Sequence, residues 1–207
     1  MNWKDLLNND RLRPSTRPKG TDARNDFESD FGRIIFSSAM RRMHDKTQVF
    51  PLTTDDNIHS RLTHSMEVMT IGHSLGIRVC KNADFVKRAG LDKSDLFREI
   101  PVILKNACLV HDIGNPPFGH FGERVIQNYF KDFFKFKGDF LTDNLEKEDF
   151  TLFDGNAQGF RVLTKLQILD DQYGLNLTFG TLGAYLKYPN IGSVNSKLIH
   201  LKKRGVF

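Results

Sequence analysis

Two short stretches hold the side chains best suited to chemistry, and both combine histidine with carboxylate. In RLTHSMEV, His64 stands three residues after Arg61, and in ACLVHDIGNPPFGHFGE the residues His111 and Asp112 are adjacent. Divalent cations that polarise phosphoryl groups accept neutral imidazole and carboxylate ligands. A helix that ends at His111 can direct this side chain and Asp112 into one cavity, and a second helix can add His64. The pattern is therefore suited to a site for a divalent metal ion of this kind.

The second stretch continues past a Gly-Asn-Pro-Pro break to another pair of candidate residues. His120 and Glu123 are three positions apart, so on a helix they share one face and the carboxylate can orient the imidazole. An oriented histidine beside a metal ion is suited to general acid catalysis of phosphoryl transfer. A lone histidine on an amphipathic helix is more often a hydrogen-bonded or solvated residue. We give this ordinary interpretation to His44, His59, His73 and His200.

The elements that must position these residues have mostly helical patterns. Apolar spacing predicts helices in SDFGRIIFSSAMRRMHD, SRLTHSMEVMTIGHSLGIRVC, FGHFGERVIQNYFKDFFKF, NAQGFRVLTKLQILD and TFGTLGAYLKYP. VILKNACLVHDIG suits a buried strand or a buried helix, and we predict a helix because its neighbours are helical. KTQVFPLTTDDN and KGDFLTDNLEKEDFTLFDG are predicted loops, and NADFVKRAGLDKSDLFREIP is a predicted connector with helical pieces. The predicted fold class is all-α, with core positions at Leu62, Met66, Met69 and Leu75.

Composition and charge narrow the class of protein. Of the 207 residues, 39% are hydrophobic and 27% charged, as in a folded globular domain. The formal charge of +5 suits a phosphate-bearing ligand or a nucleic acid, and equally a solvated basic surface. Two cysteines outside any C-x-x-C pair argue against a disulfide framework or a cysteine zinc site. Since no stretch has the pattern of a leader or a membrane span, we expect a cytoplasmic protein that does not bind membranes. Residues 1–24 are predicted to form a flexible arm, followed by one domain at residues 25–207.

Four segments together resemble the deoxyguanosine triphosphate triphosphohydrolases of the HD superfamily: RLTHSMEV, HDIGNPPFGHFGE, RRMHDKTQVFPL and DGNAQGFR. The resemblance runs from the region of Arg24 to the C-terminus and implies an HD-domain helical bundle. It also implies the roles of five residues. His64, His111 and Asp112 match the metal ligands, and His120 and Glu123 match the catalytic histidine and its supporting carboxylate.

The resemblance further implies a substrate, a cofactor and partners. Arg61 matches a phosphate-contacting arginine, and Gln48 matches a residue that contacts the deoxyribose and helps to reject a 2′-hydroxyl group. The implied reaction converts dGTP, or dNTPs more widely, to a deoxynucleoside and tripolyphosphate. Mn²⁺ or Mg²⁺ is the expected cofactor, and Fe, Co or Ni is compatible with the same ligands. The implied partners are a nucleotide or single-stranded DNA effector and further copies of the chain in a homo-oligomer.

The sequence departs from the family pattern at a fourth metal ligand. The family carries an Asp in a segment of the type DDIAY, whereas Asp170 and Asp171 stand in ILDDQYG. We therefore expect a bundle that is incomplete at its C-terminal end, in the N-terminal part of a longer protein or in a truncated copy. Two alternatives stay open. One is a different HD phosphohydrolase, acting on nucleoside monophosphates or cyclic dinucleotides; the other is a non-catalytic module that binds nucleotide or single-stranded nucleic acid, or joins an oligomer. In DGNAQGFR, Asn156 and Arg161 are interpreted as a helix cap and a surface salt bridge.

Overall fold

The structure of the chain, a computed structural model, describes residues 3–14, 21–52, 55, 57–137, 144–166 and 172–187. In these ranges the regular elements are helices, and β-type pairing is limited to the isolated bridges Arg11–Thr178 and Thr47–Ser60. The predicted all-α fold class is confirmed. No helix in the described part of the chain is long and apolar enough to cross a bilayer. The helices are α1 (Trp3–Leu6), α2 (Asp26–Ile35), α3 (Ser38–Arg42), a 3-10 turn (Met43–Asp45), α4 (Arg61–Cys80), α5 (Ala83–Ala89), α6 (Lys93–Val110), α7 (Gly119–Lys137), α8 (Asn144–Thr151), α9 (Gly155–Thr164) and α10 (Phe179–Tyr185).

The contact between α4 and α6 is the most extensive helix pairing in the described residues. The face of α4 that is buried there carries small residues at Ser65, Gly72 and Gly76. A Cβ atom added at Gly72 would lie 2.4 Å from Sγ of Cys108, and one added at Gly76 would lie 2.6 Å from Cα of Pro101. Both distances are far shorter than an ordinary contact. The two helix backbones therefore approach this closely only because these positions lack a side chain.

This small-residue contact corrects the predicted core of α4. Met66 and Leu75 are 50% and 53% exposed, whereas Leu62 and Met69 are partly buried against the main core. The main core is a cluster of buried residues that includes Ile34, Met43, Leu109, Val110 and Leu163. Apolar periodicity assigns large hydrophobic residues to the buried face, but the close approach of α6 selects small residues there instead. The predictions at Met66 and Leu75 are wrong for that reason.

Helix α6 is longer than the sequence pattern indicated. It begins after its N-cap Asp92, whose side chain accepts a hydrogen bond from the backbone N–H of Ser94, and it continues through Pro101 to Val110. Proline lacks an N–H donor and normally interrupts a helix, and the sequence pattern therefore predicted a connector before Pro101. In the structure Pro101 is buried against Gly76, and this packing offsets the missing hydrogen bond.

Two other boundaries differ from the predicted ones. SDFGRIIFSSAMRRMHD forms α2 and α3 instead of one helix, because Ser37 interrupts the run and caps α3 by accepting a hydrogen bond from Met40 N. The predicted acidic loop contains α8. Phe150 of α8 packs against Phe130 of α7, with their ring centroids 4.5 Å apart. This aromatic contact stabilises α8 against α7. The acidic composition of α8 gives no indication of it.

Residues 3–14, part of the predicted flexible arm, pack against the rest of the domain. Arg11 is 9% exposed, and its guanidinium donates to Asp30 Oδ1 at 2.6 Å and to the carbonyl of Asn176 at 2.6 Å. The ring of Trp3 lies edge-on to Phe85, with centroids 4.9 Å apart. The buried ion pair and the aromatic contact anchor a segment whose polar composition does not signal packing. The domain boundary at residue 25 stays a prediction.

Candidate metal centre

The end of α6 and the first turn of α4 bring three candidate ligands together. His64 lies in the first turn of α4, His111 is the C-cap of α6, and Asp112 follows it. One ligand atom from each of these side chains lies within 4.8 Å of the others. The His64 and His111 rings meet edge-on, with centroids 5.3 Å apart. Leu109 and Val110, which are buried in the main core, fix this end of α6. The structure thus brings together the three residues that the resemblance implies as metal ligands.

Hydrogen bonds determine which lone pairs this group can offer to a cation. His111 Nδ1 donates to the carbonyl of Cys108 at 2.7 Å; since a carbonyl only accepts, Nε2 carries the lone pair. Asp112 Oδ1 accepts from Asn115 Nδ2 at 2.7 Å, and Oδ2 accepts from Arg61 at 2.6 Å. A carboxylate retains further lone pairs beyond these two bonds. Two imidazoles and an oriented carboxylate fit the ligand chemistry of a divalent ion.

Arg61 is buried beside the group of three candidate ligands. It is the first residue of α4, is only 5% exposed, and pairs through its guanidinium with Asp112. Gly119, whose φ is +54°, leaves the necessary space, since an added Cβ would lie 2.8 Å from Arg61 Nη2. Loss of either partner of this internal ion pair would leave a buried charge uncompensated. The contact predicted from the resemblance was with phosphate, and the structure adds a contact with a candidate metal ligand.

Lys46 belongs to the candidate site, although no sequence pattern assigned it a role there. Its Nζ donates to the carbonyl of Asn115 at 2.9 Å, and its own carbonyl accepts from Arg61 N at 2.8 Å. Burial lowers the pKa of Lys46, the positive charges of Arg61 and Arg42 lower it further, and Asp112 opposes them. Lys46 thus ties the loop after Asp112 to the segment before α4. Its position two residues before Gln48 in KTQVF was the only available signal.

Gln48 lies on the same segment as Lys46. Its backbone N–H donates to the carbonyl of His59 at 3.2 Å, next to the bridge between Thr47 and Ser60. Its side-chain Oε1 is buried and has no hydrogen-bond partner among the described residues. A buried acceptor without a partner is costly unless something else donates to it. A ligand that carries a donor group would remove that cost.

His120 and Glu123 form a second group near the start of α7. His120 Nδ1 lies 2.6 Å from Glu123 Oε2; because a carboxylate only accepts, Nδ1 carries the proton and Nε2 is left for a substrate. The His120 side chain is 75% exposed and that of Glu123 is 9% exposed. Glu123 Oε1 accepts from the backbone N–H of Gly155 at 2.8 Å. The predicted histidine–carboxylate contact is present, and the catalytic roles of the two residues stay a prediction.

The segment DGNAQG, whose role the sequence pattern left open, lies between the two groups. Asp154 caps α9 by accepting from the backbone N–H groups of Asn156 and Ala157 at 2.8 and 3.2 Å. The cap is therefore Asp154, and the predicted cap Asn156 lies inside the helix. A Cβ added at Gly114, in the loop after Asp112, would lie 1.9 Å from Gly159 N. Two glycines four residues apart on one helix face were the available signal for this close approach.

Other histidines have ordinary contacts. His44 is exposed and lies 2.9 Å from Asp45, and His59 lies 2.8 Å from Glu67. The three-ligand group in the described residues contains none of them. His200, Asp170 and Asp171 lie outside the described residues.

Comparison with known proteins identifies residues 61–149 as an HD domain. The chain is 50% identical over its whole length to a deoxyguanosinetriphosphate triphosphohydrolase-like protein of Listeria monocytogenes, of which it covers 46%. A protein of the same name from Pseudomonas aeruginosa is 47% identical over 91% of the chain and 42% of that protein. A deoxyguanosinetriphosphate triphosphohydrolase of Yersinia enterocolitica is 38% identical over 78% of the chain and 36% of that protein.

The chain spans less than half the length of the curated relatives it matches. The HD domain begins at Arg61, the first residue of α4, and extends into α8. It therefore contains the three candidate ligands and both members of the His120–Glu123 group. HD domains are metal-dependent, which agrees with the group of three candidate ligands in the described residues.

Proposed function

Because residues 61–149 form an HD domain and the whole chain is homologous to deoxyguanosinetriphosphate triphosphohydrolase-like proteins, we propose that it forms the metal-binding part of an enzyme that hydrolyses dGTP or related dNTPs. The products would be a deoxynucleoside and tripolyphosphate. The observation that carries this proposal is the convergence of His64, His111 and Asp112, whose ligand atoms lie within 4.8 Å of one another. These side chains would hold a divalent cation, which supplies Lewis-acid polarisation of phosphoryl oxygens.

The His120–Glu123 group is suited to protonating the leaving group of the reaction. Water supplies the oxygen of the new bond to the α-phosphorus and releases one proton to the solvent, and the bond between that phosphorus and the 5′-oxygen breaks. His120 Nε2 donates a proton to the 5′-oxygen as it leaves. The Glu123 carboxylate, bonded to Nδ1 at 2.6 Å, holds the ring in the orientation that leaves Nε2 available. This carboxylate also stabilises the imidazolium from which the proton departs.

Three polar residues are suited to binding the nucleotide substrate. Gln48 offers a buried acceptor with no partner among the described residues, which a deoxyribose hydroxyl can satisfy. A ribonucleotide carries an additional 2′-hydroxyl group, for which the site beside Gln48 would have to provide space, and Gln48 would thereby help to reject it. Arg61 and Lys46 supply positive charge beside the candidate ligands, which favours a polyphosphate.

The bond that breaks is tested by product analysis. We expect purified protein with Mn²⁺ or Mg²⁺ and dGTP to yield deoxyguanosine and tripolyphosphate. Formation of dGMP with pyrophosphate, or of dGDP with phosphate, would contradict cleavage at the 5′-oxygen. The same assay with nucleoside monophosphates and cyclic dinucleotides tests the alternative that this is a different HD phosphohydrolase.

The role of His120 is tested against a matched histidine. His120→Ala should abolish turnover, and His44→Ala should leave it intact. The two residues are closely matched, because their side chains are 75% and 74% exposed and each contacts a carboxylate through Nδ1. Equal turnover in the two variants would contradict the assignment of the acid.

A second candidate function is a non-catalytic module that binds nucleotide or single-stranded nucleic acid. The chain spans less than half of its curated relatives, and the group in the described residues supplies three protein ligands. Little bound metal and no hydrolysis, together with measurable binding of dGTP or oligonucleotide, would favour this module. The cytoplasmic location, the effector and the homo-oligomer implied by the resemblance stay predictions. Light scattering with and without dGTP tests the oligomer.

A further inference from the structure

The N-terminus of α9 lies where the two groups of the site meet. Gly155 is the first residue of this helix. It contacts Asn115, which binds Asp112, and Glu123, which binds His120. A Cβ added there would lie 2.2 Å from Asn115 Oδ1 and 2.8 Å from Glu123 Oε1. We propose that Gly155 is a positioning residue that sets the orientation of the candidate metal ligand Asp112 and of the candidate acid His120 together.

The contact with His120 runs through one carboxylate. Glu123 accepts from Gly155 N with one oxygen at 2.8 Å and from His120 Nδ1 with the other at 2.6 Å. The backbone N–H groups at a helix N-terminus favour negative charge, so this position stabilises the ionised carboxylate. Glu123 is 7% exposed and has little freedom to move aside. The direction of the Gly155 N–H group therefore determines where Glu123 places its second oxygen.

The contact with Asp112 runs through Asn115. The Asn115 side chain donates to Asp112 Oδ1 at 2.7 Å, and its own Oδ1 faces the space that a side chain on residue 155 would occupy. The Asn115 carbonyl is held by Lys46 Nζ at 2.9 Å, so the residue is fixed at both ends. Any atom added at position 155 must therefore displace the amide that orients the carboxylate.

A second close approach keeps α9 in place. A Cβ at Gly114 would lie 1.9 Å from Gly159 N and 2.3 Å from the carbonyl oxygen of Gly155. Both are backbone atoms, which cannot rotate out of the way. The loop after Asp112 and the first turn of α9 thus form one rigid contact. A displacement at Gly155 would be transmitted to both groups of the site.

This role rests on the proposed function for its link to turnover, so the experiment uses two measurements that need no turnover. The variants are Gly155→Ala and the matched control Gly183→Ala, since Gly183 lies in α10 with nothing within 4 Å of an added Cβ. Mn²⁺ affinity is measured by calorimetry. The ¹⁵N chemical shifts of the His120 ring, measured at pH 8, report which ring nitrogen carries the proton. The His120 signals are assigned as those that are missing from His120→Gln.

We expect Gly155→Ala to weaken Mn²⁺ binding about tenfold or more, as losses of outer-shell partners do. We also expect the Nδ1–H form of His120 to give way to the Nε2–H form that a solvated histidine favours. Gly183→Ala should match the wild type in both. A Gly155→Ala protein that keeps both values would overturn the proposal. If the wild type does not hydrolyse dGTP but Gly155→Ala still changes both values, the proposed reaction is refuted and the positioning role of Gly155 stands.

A second variant covers a failure of Gly155→Ala to fold. Asn115→Ala removes the donor to Asp112 and leaves Gly155 and Glu123 in place. It should weaken Mn²⁺ binding and keep the Nδ1–H form of His120. Unchanged Mn²⁺ affinity in a folded Asn115→Ala protein would overturn the proposed contact with the metal group.

Discussion

Substituting Gly72 by Ala should force apart the two helices that carry the candidate ligands. Gly72 lies on α4 eight residues after His64, and Cys108 lies on α6 three residues before His111. The added Cβ would meet Cys108 Sγ at 2.4 Å, whereas an ordinary contact begins at 3.4 Å. The difference is 1.0 Å, and the helices have to separate or the Cys108 side chain has to rotate to provide it.

The expected loss of stability follows from comparison with Gly183→Ala. Overpacking a filled contact costs about 1–3 kcal/mol, while replacing Gly by Ala inside a helix stabilises it by about 1 kcal/mol. Gly183→Ala gains the second contribution alone, because nothing lies within 4 Å of its new Cβ. The free energies of unfolding of the two variants should therefore differ by about 1–3 kcal/mol. Metal sites tolerate about 0.2 Å in ligand distance, so Mn²⁺ affinity should fall in Gly72→Ala only.

Urea unfolding and calorimetric titration with Mn²⁺ measure the two effects. The double variant Gly72→Ala/Cys108→Ala removes Sγ and should recover part of both losses, as coupled neighbours do. Equal stability and equal Mn²⁺ affinity in Gly72→Ala and Gly183→Ala would refute the reasoning. So would a double variant whose losses are the sum of the single ones.

Three further outcomes are expected. Arg98 donates to Glu28 and holds the pKa of that carboxyl below its ordinary value of 4.5, so the stabilisation is present above that value and disappears as the pH falls through the lowered one. Glu28→Gln should remove this part of the pH dependence in urea titrations, by up to about 1 kcal/mol at pH 7. Arg11→Met leaves Asp30 buried without its cation and should cost about 3–5 kcal/mol in urea unfolding; a change under 1 kcal/mol would show that residues 3–14 contribute little. Mn²⁺ at 100 times its Kd should raise the free energy of unfolding by about 2.7 kcal/mol in the wild type, and the same ion concentration should do nothing for His111→Ala.

Local patterns were sufficient to predict the helices that carry the site. α4 follows its N-cap Ser60, and α6 ends before a Gly-Asn-Pro-Pro break, so both ligand positions lie at helix ends marked in the sequence. The contact between His120 and Glu123 depends on a spacing of three residues, which is also local information. The family resemblance then connected His64 to the second stretch, which no local pattern could do.

Contacts between distant parts of the chain could not be predicted in the same way. Arg61 and Asp112 are 51 residues apart, and Glu123 and Gly155 are 32 apart. Nothing in the residues beside them indicates the pairing. Glycine in particular has no side chain whose polarity or size could reveal a partner. The small-residue face of α4 was misjudged for this reason, since hydrophobicity counts the side chains that are present and not the space left by absent ones.

The ion pair between Arg61 and Asp112 determines how the fold would respond to removal of a metal ion from the candidate site. Burying a carboxylate destabilises the folded state unless a cation compensates its charge. In this protein the guanidinium of Arg61, 2.6 Å from Asp112, provides that compensation. Chelation should thus yield a folded apoprotein, and adding the ion back should reconstitute the site without a refolding step. Purification in the presence of a chelator becomes a practical route to testing one metal after another on the same preparation.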